Sequence, residues 1–272
     1  MNSKAIGVFD SGIGGLTVYR AIKELLPKEQ VVFLGDTARL PYGSKSPDAI
    51  RNFTEGNALF LLSKNVKIIV IACNSAASHA AAFLQERIDI PVVEVINPGV
   101  EAAVSMCRKR IGIIGTSATI ASGAYERGVR KLRDDVEILS RDCPLFVPLV
   151  EEGWINHPAT RLVIEEYLGP MREKGVDTLV LGCTHYPVLR SQIADVMGPG
   201  VNLVDSATPT AQRVVTLLNT LGWRSDGSGQ KSDSFYVTDY PDRFRRVAEI
   251  FLDKPIENVI TATFTTISVP QA

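Results

Sequence analysis

The chain of 272 residues has only four cysteines, Cys73, Cys107, Cys143 and Cys183, and no CxxC among them. That excludes zinc-ribbon and thioredoxin-type motifs and offers no disulfide framework. No run of about 20 apolar residues exists, so no membrane span is expected. The opening MNSKAIGVFD lacks the long apolar stretch of a secretory leader. A cytoplasmic protein with reduced thiols is the expectation. A charge excess is missing too. With 29 basic and 30 acidic residues the net charge is −1, which points to neither nucleic acid nor an anionic membrane as a partner. A small polar ligand held by a few local charges stays open. Neither the P-loop nor the dinucleotide fingerprint occurs, and no flavin, metal or pyridoxal motif is evident.

What is present is a repeated alternation of short apolar runs with longer amphipathic ones. AIGVFD, QVVFLG, VKIIVIA, VVEVI, IGIIGT, VEILS, DTLVLG, VNLVD and SFYVTD read as strands. Between them, LTVYRAIKELL carries Leu16, Tyr19, Ile22, Leu25 and Leu26 at helical spacing and stops at Pro27. Ser46-Pro47 reads as an N-cap and first helical residue of a helix ending near Asn65. One helix is expected over SATIASGAYERGVRKL despite its glycines, and Pro170 is expected to break or kink another. RSDGSGQKSD reads as an exposed loop, and VITATFTTISV as a terminal strand that could lie antiparallel at an edge. Strand–helix alternation with near-continuous apolar strands predicts an α/β fold with a mainly parallel sheet covered on both faces. At this length, one large or two small domains of ~100–150 residues fit.

The chain repeats its own plan. IGVFDSG begins at Ile6 and IGIIGTS at Ile111, an offset of 105 residues. VIACNSA centres on Cys73 and VLGCTHY on Cys183, an offset of 110. LPYGS (40–44) and VPLVEEG (147–153) occupy similar places between them. Two α/β halves of related design follow, although apolar strands also resemble one another by chance. In open parallel sheets, loops after the carboxyl ends of strands form the ligand crevice. Asp10, Ser11, Tyr42, Cys73, Thr116, Glu151 and Cys183 all fall after predicted strands. If two halves face each other, Cys73 and Cys183 line one cleft from opposite sides.

Each of these cysteines is expected to precede a helix, whose N-terminal end favours a thiolate and can bind a carboxylate. Two thiols flanking one carbon suit a two-base racemisation, in which one removes the α-proton and the other delivers a proton to the opposite face. A lone cysteine at a strand end is more often core. The matched pair reverses that weighting, while Cys107 and Cys143 read as structural. Asp10 fits either an N-cap or a site residue. The glycines of SGIGG could cradle an anion. His185 could accept or lower the proton of Cys183. A metal site from Cys-x-His lacks further ligands nearby. His79 reads as a helix residue and His157 as a helix cap.

GVFDSGIGGLTV, GDTARLPYG, ACNSAA, CPLFVPLVEEG and LGCTHYP together resemble the bacterial glutamate racemases, in order, from Gly7 to about Pro209. The resemblance implies a cofactor-independent, metal-independent isomerase that interconverts L- and D-glutamate and supplies D-glutamate for peptidoglycan. It implies two pseudo-symmetric α/β domains, residues 1–97 with 208–272 and residues 98–207, with the active site between them. It gives Cys73 the α-proton of the D-isomer and Cys183 that of the L-isomer. Asp10 would assist at the Cys73 side, and Glu151 and His185 at the Cys183 side. Asp10, Ser11, Pro41, Tyr42, Gly43, Asn74, Ser75, Thr116, Thr184 and His185 would contact substrate. Ser75 stands where the family carries threonine, keeping the hydroxyl and losing a methyl. A homodimer, and a cell-wall precursor as activator, are further implied partners. Related racemases acting on aspartate, a non-catalytic module for acidic ligands, and a gyrase-inhibiting protein remain alternatives. A redox dithiol would need the two sulfurs within disulfide reach.

Overall fold

The computed structural model describes residues 4–228 and 232–263. Ten strands run in chain order as β1 (Ile6–Asp10), β2 (Val31–Gly35), β3 (Ile68–Ile71), β4 (Val92–Glu94), β5 (Arg110–Gly115), β6 (Glu137–Asp142), β7 (Thr178–Gly182), β8 (Asn202–Asp205), β9 (Ser234–Val237) and β10 (Val259–Thr261). They form two sheets, ordered β10-β9-β2-β1-β3-β4 and β6-β5-β7-β8. Every pairing is parallel. Strands β1, β2, β3 and β7 are buried along their whole length. Helices on both faces require this, and the unbroken apolar runs supply it.

The chain crosses from the first sheet to the second after β4, through the helix Ile96–Met106. It returns after β8, through the helix Ala207–Thr220. The two crossing helices pack together. Arg213 Nη2 donates to both carboxylate oxygens of Glu101 at 2.7 and 2.6 Å, between them. The returning segment is clamped at the far end of the first sheet, away from the carboxyl ends of the strands. There Lys67 and Glu29 form a fully buried ion pair at 2.6 Å. Lys67 Nζ also donates to the carbonyl of Trp223, and Glu29 accepts from the backbone N–H of Ser225. β9 and β10 then complete the first sheet beside β2.

Several expectations need correction. Within the described residues the last strand is parallel to β9, not antiparallel; residues 264–272 of the terminal run lie outside the described residues, as do 229–231 of the expected loop. The helix expected over 117–132 is two, Ser117–Ala121 and Ala124–Leu132, because Gly123 adopts φ +62° between them. Pro170 breaks nothing. The helix Pro158–Glu173 runs through it, since only one ladder bond is lost so close to the end. Ser46 does cap the helix Pro47–Ser63, its hydroxyl accepting from Ala49 N–H at 3.3 Å. His157 likewise caps the helix Pro158–Glu173 through Nδ1. Among the described residues, no helix is long and apolar enough to cross a membrane.

Candidate active site

The carboxyl ends of β1 and β3 from one sheet meet those of β5 and β7 from the other. Cys73 follows β3 and is the N-cap of the helix Asn74–Gln85. Cys183 directly follows β7. Both cysteines are nearly buried, at 5% and 6% exposure, and both line one cavity of about 30 Å³. The opposed-thiol arrangement is therefore present. The two are not equivalent in local structure, however. Cys183 is followed by the short 3-10 turn Tyr186–Leu189 rather than by the start of an α-helix.

The Cys73 thiol donates to Ser11 Oγ at 3.3 Å. Burial, and next the negative charge of Asp10, push its pKa up to about 12, against the hydrogen bonds of Ser11 and the Ala76 N–H. In neutral solution Cys73 is a thiol. On the other side, Cys183 Sγ lies 3.9 Å from His185 Nδ1, and His185 Nε2 lies 3.1 Å from Glu151 Oε1. Burial alone would lower the His185 pKa. The hydrogen bonds and charges of Cys183 and Glu151 outweigh it and raise it to about 10. Burial likewise pushes Glu151 up, but the hydrogen bond and charge of His185, with Arg243 behind them, bring it below the usual carboxylate range. The relay Cys183–His185–Glu151 can thus take a proton on the imidazole.

Asp10 is placed differently from expectation. It is fully buried and does not line the cavity. Its carboxylate accepts from Gly12 N–H at 2.9 Å and from Thr184 Oγ1 at 3.4 Å. Burial raises its pKa, opposed by the charge of His185 and by these hydrogen bonds. The Asp10 carboxyl thus backs the wall behind Cys73, with burial strengthening its hold on a proton. Ser11, Pro41, Tyr42, Gly43, Asn74 and Ser75 do line the cavity, as do Thr116, Thr184 and His185. Tyr42 turns its hydroxyl away. It donates to Asp36 and accepts from Asn57 Nδ2 at 3.0 Å, so only its ring and backbone face a ligand. Asp36 also accepts from Arg39 and from Thr238, which ties this loop to the returning segment. Glu151 ends the helix Phe146–Glu151 instead of following a strand.

The glycines of SGIGG serve close packing, Gly14 across the seam to the second half and Gly15 against Asp10 of its own half. A Cβ on Gly14 would overlap Thr184 Oγ1 and His185, and one on Gly15 would lie 2.5 Å from Asp10 Cβ. Gly43 plays the same part, since its Cβ would lie 2.6 Å from Thr116 Cβ. Ser75 Oγ bonds Thr116 Oγ1 at 2.8 Å across the same seam. The hydroxyl that replaces the family threonine is therefore satisfied.

A second hollow of about 300 Å³ adjoins the small cavity, sharing Leu40, Gly43, Thr116, Val147 and Glu151 and reaching Arg243. Arg243 Nη2 lies 3.4 Å from Glu151 and 3.2 Å from Glu152, bridging the returning segment and the second sheet's helices. Sequence reasoning missed Arg243, because it sits in an ordinary amphipathic helix with no local motif. It also missed Val147, although that residue lies inside CPLFVPLVEEG. Among the described residues, no group of three or more His, Cys, Asp or Glu could hold a metal ion.

The family model for Asp/Glu/hydantoin racemases matches residues 6–214. A glutamate racemase of Geobacter metallireducens is 45% identical over 257 residues, 94% of this chain and 95% of that one. The crystal structure of glutamate racemase from Francisella tularensis in complex with D-glutamate superposes with a TM-score of 0.91 at 37% identity, covering 97% of this chain and 99% of that one. The Escherichia coli glutamate racemase in complex with L-glutamate and the activator UDP-MurNAc-Ala gives 0.79 at 25% identity, over 95% and 98%. With two thiols opposed across one cavity and this likeness along nearly the whole chain, the protein belongs to the Asp/Glu/hydantoin racemase family, among its glutamate racemases.

Proposed function

We propose that the chain interconverts L- and D-glutamate by a two-thiol proton transfer at the α-carbon, supplying D-glutamate for peptidoglycan. The observation that carries this reading is the pair Cys73 and Cys183, delivered by different sheets to one cavity. The glutamate racemases work without a cofactor, so the protein's own acid and base groups do the chemistry.

Toward L-glutamate the Cys183 sulfur takes the α-proton while its own proton rests on His185 Nδ1, the state the raised His185 pKa favours. Glu151 holds the resulting imidazolium through Nε2. Cys73, a thiol at neutral pH, delivers its proton to the opposite face. Asp10 behind it is the group that assists. The reverse sequence runs from D-glutamate. Amide and hydroxyl groups of Asn74, Ser75, Thr116 and Thr184 hold the carboxylates and the amine. Residues 1–97 with 208–272, and residues 98–207, are the two bodies we assign to either side of the cleft. A homodimer in the cytoplasm is the assembly this reading favours. A precursor of the kind held by the Escherichia coli protein is its candidate activator, read from initial rates with and without UDP-MurNAc-Ala.

The test is incubation of the protein with L-glutamate in D2O under reducing conditions, without pyridoxal phosphate. Optical rotation should decay to zero, with deuterium at the α-carbon of the product. Unchanged rotation sinks the reading. Cys73→Ser and Cys183→Ser should each lower the rate by at least about a thousandfold, and full activity in either removes that thiol from the mechanism. Faster turnover of aspartate in the same assay would shift the assignment to that substrate.

A further inference from the structure

Asn74 lines the cavity directly after Cys73, and it is 2% exposed. Its Nδ2 is buried with no hydrogen-bond partner in the protein. Leaving a buried amide donor unpaired is costly, and such a donor beside a cavity calls for an acceptor on the ligand. The other end of the same amide is fixed. Asn74 Oδ1 accepts from the hydroxyl of Tyr125 at 2.7 Å.

Tyr125 belongs to the helix Ala124–Leu132, over the second sheet, and reaches across the seam to the first. It is 2% exposed. Its surroundings explain how a tyrosine fits there. A Cβ on Gly99 would lie 3.3 Å from its hydroxyl, and one on Gly182 would lie 3.2 Å from its ring. Gly99 is in the first crossing helix, and Gly182 directly precedes Cys183. Ser206, at the start of the second crossing helix, lies beside the phenol, since a Cβ on Gly99 would meet Ser206 Cβ and the Tyr125 hydroxyl at 3.3 Å each. The phenol proton goes to Asn74 Oδ1. That fixes the orientation of the amide, oxygen toward Tyr125 and nitrogen away from it.

We propose that Tyr125 is a positioning residue of the racemase site: its hydroxyl orients Asn74 so that the free amide N–H groups bind a substrate carboxylate when the two sheets are closed. The proposal rests on the racemase reading above. Tyr125 touches no reacting atom. It acts through Asn74, and it makes that contact only while the second sheet's helix lies against the first sheet.

The test is steady-state kinetics of Tyr125→Phe with both glutamate enantiomers, alone and combined with Asn74→Ala. Loss of one directed hydrogen bond should raise KM about tenfold for each enantiomer, with kcat changed less than about threefold. In the Asn74→Ala background, Tyr125→Phe should add less than about twofold, because its effect passes through that amide. Multiplying effects in the double variant, or an unchanged KM in Tyr125→Phe, overturn the proposal. A kcat collapse at constant KM overturns it as well. Should Tyr125→Phe unfold, Ser206→Ala carries the test. It opens space beside the phenol, which can then turn, and should raise KM about threefold, again only while Asn74 is present. A wild type that does not racemise glutamate defeats the racemase reading itself. A wild type that racemises beside an indifferent Tyr125→Phe defeats this inference alone.

Discussion

The Glu151 carboxylate serves two partners at once. One oxygen meets His185 Nε2 and the other meets Arg243. Its charge is one of the two influences that lift His185 to about 10, the other being Cys183. The imidazolium therefore persists below about pH 10, and turnover that depends on it should fall as pH rises through that value. Glu151→Gln removes the charge and keeps the shape, so the His185 pKa falls and the alkaline limb of kcat/KM for L-glutamate should move down by about one unit or more. A profile from pH 6 to 11 measures it, and an unmoved limb would separate Glu151 from the control of His185. At this scale the sequence was informative where a motif is contiguous: LGCTHYP put Cys183 and His185 two residues apart. It was silent on depth. Nothing local told that Asp10 would sit behind the wall, that the Tyr42 hydroxyl would turn away to Asp36, or that Arg243 would arrive from a distant helix.

Elements carry the contact between the two sheets, and glycine makes that contact close. Gly43 opens no unusual backbone angle. Its role is clearance, since a Cβ there would lie 2.6 Å from Thr116 Cβ on the opposing side. Gly43→Ala should therefore raise KM for glutamate about tenfold or more while leaving the melting temperature within about 2 °C, because nothing within its own body is crowded. Activity and thermal unfolding of the same preparation measure both, and an equal loss in each would mean the residue is needed for folding instead. The strands were legible as apolar runs, because burial on both faces leaves no polar alternation. Helix ends were less so. Gly123 splits one expected helix by its left-handed backbone, and Glu151 closes a short helix that an apolar stretch with two prolines disguises. The SGIGG turn reads alike for an anion cradle and for a close approach, and only the neighbours across the seam decide.

For the whole molecule, the decisive quantity is the space between the sulfurs. A cavity of about 30 Å³ holds two or three waters, far less than an amino acid needs. Glutamate between the sulfurs has to widen this space, and the seam contacts Ser75–Thr116, Tyr125–Asn74 and Arg243–Glu151 are the ones that parting walls would stretch. Small-angle scattering should then give a larger radius of gyration for the free protein than for the protein saturated with glutamate. Equal radii would place the opening in side chains alone. The repeated plan of IGVFDSG and IGIIGTS announced two halves, and the paired cysteines announced a cleft. The closing of the first sheet by the last strands came only through the family resemblance, because strand order between distant segments leaves no periodic trace.

That closure also sets an order of events during synthesis. β2 is buried along its whole length, and its outer edge is covered only by β9, some 200 residues later. While the ribosome is still making the second sheet, β2 presents an unpaired apolar edge of the kind on which chains associate wrongly. The first sheet therefore cannot be completed until β9 has emerged.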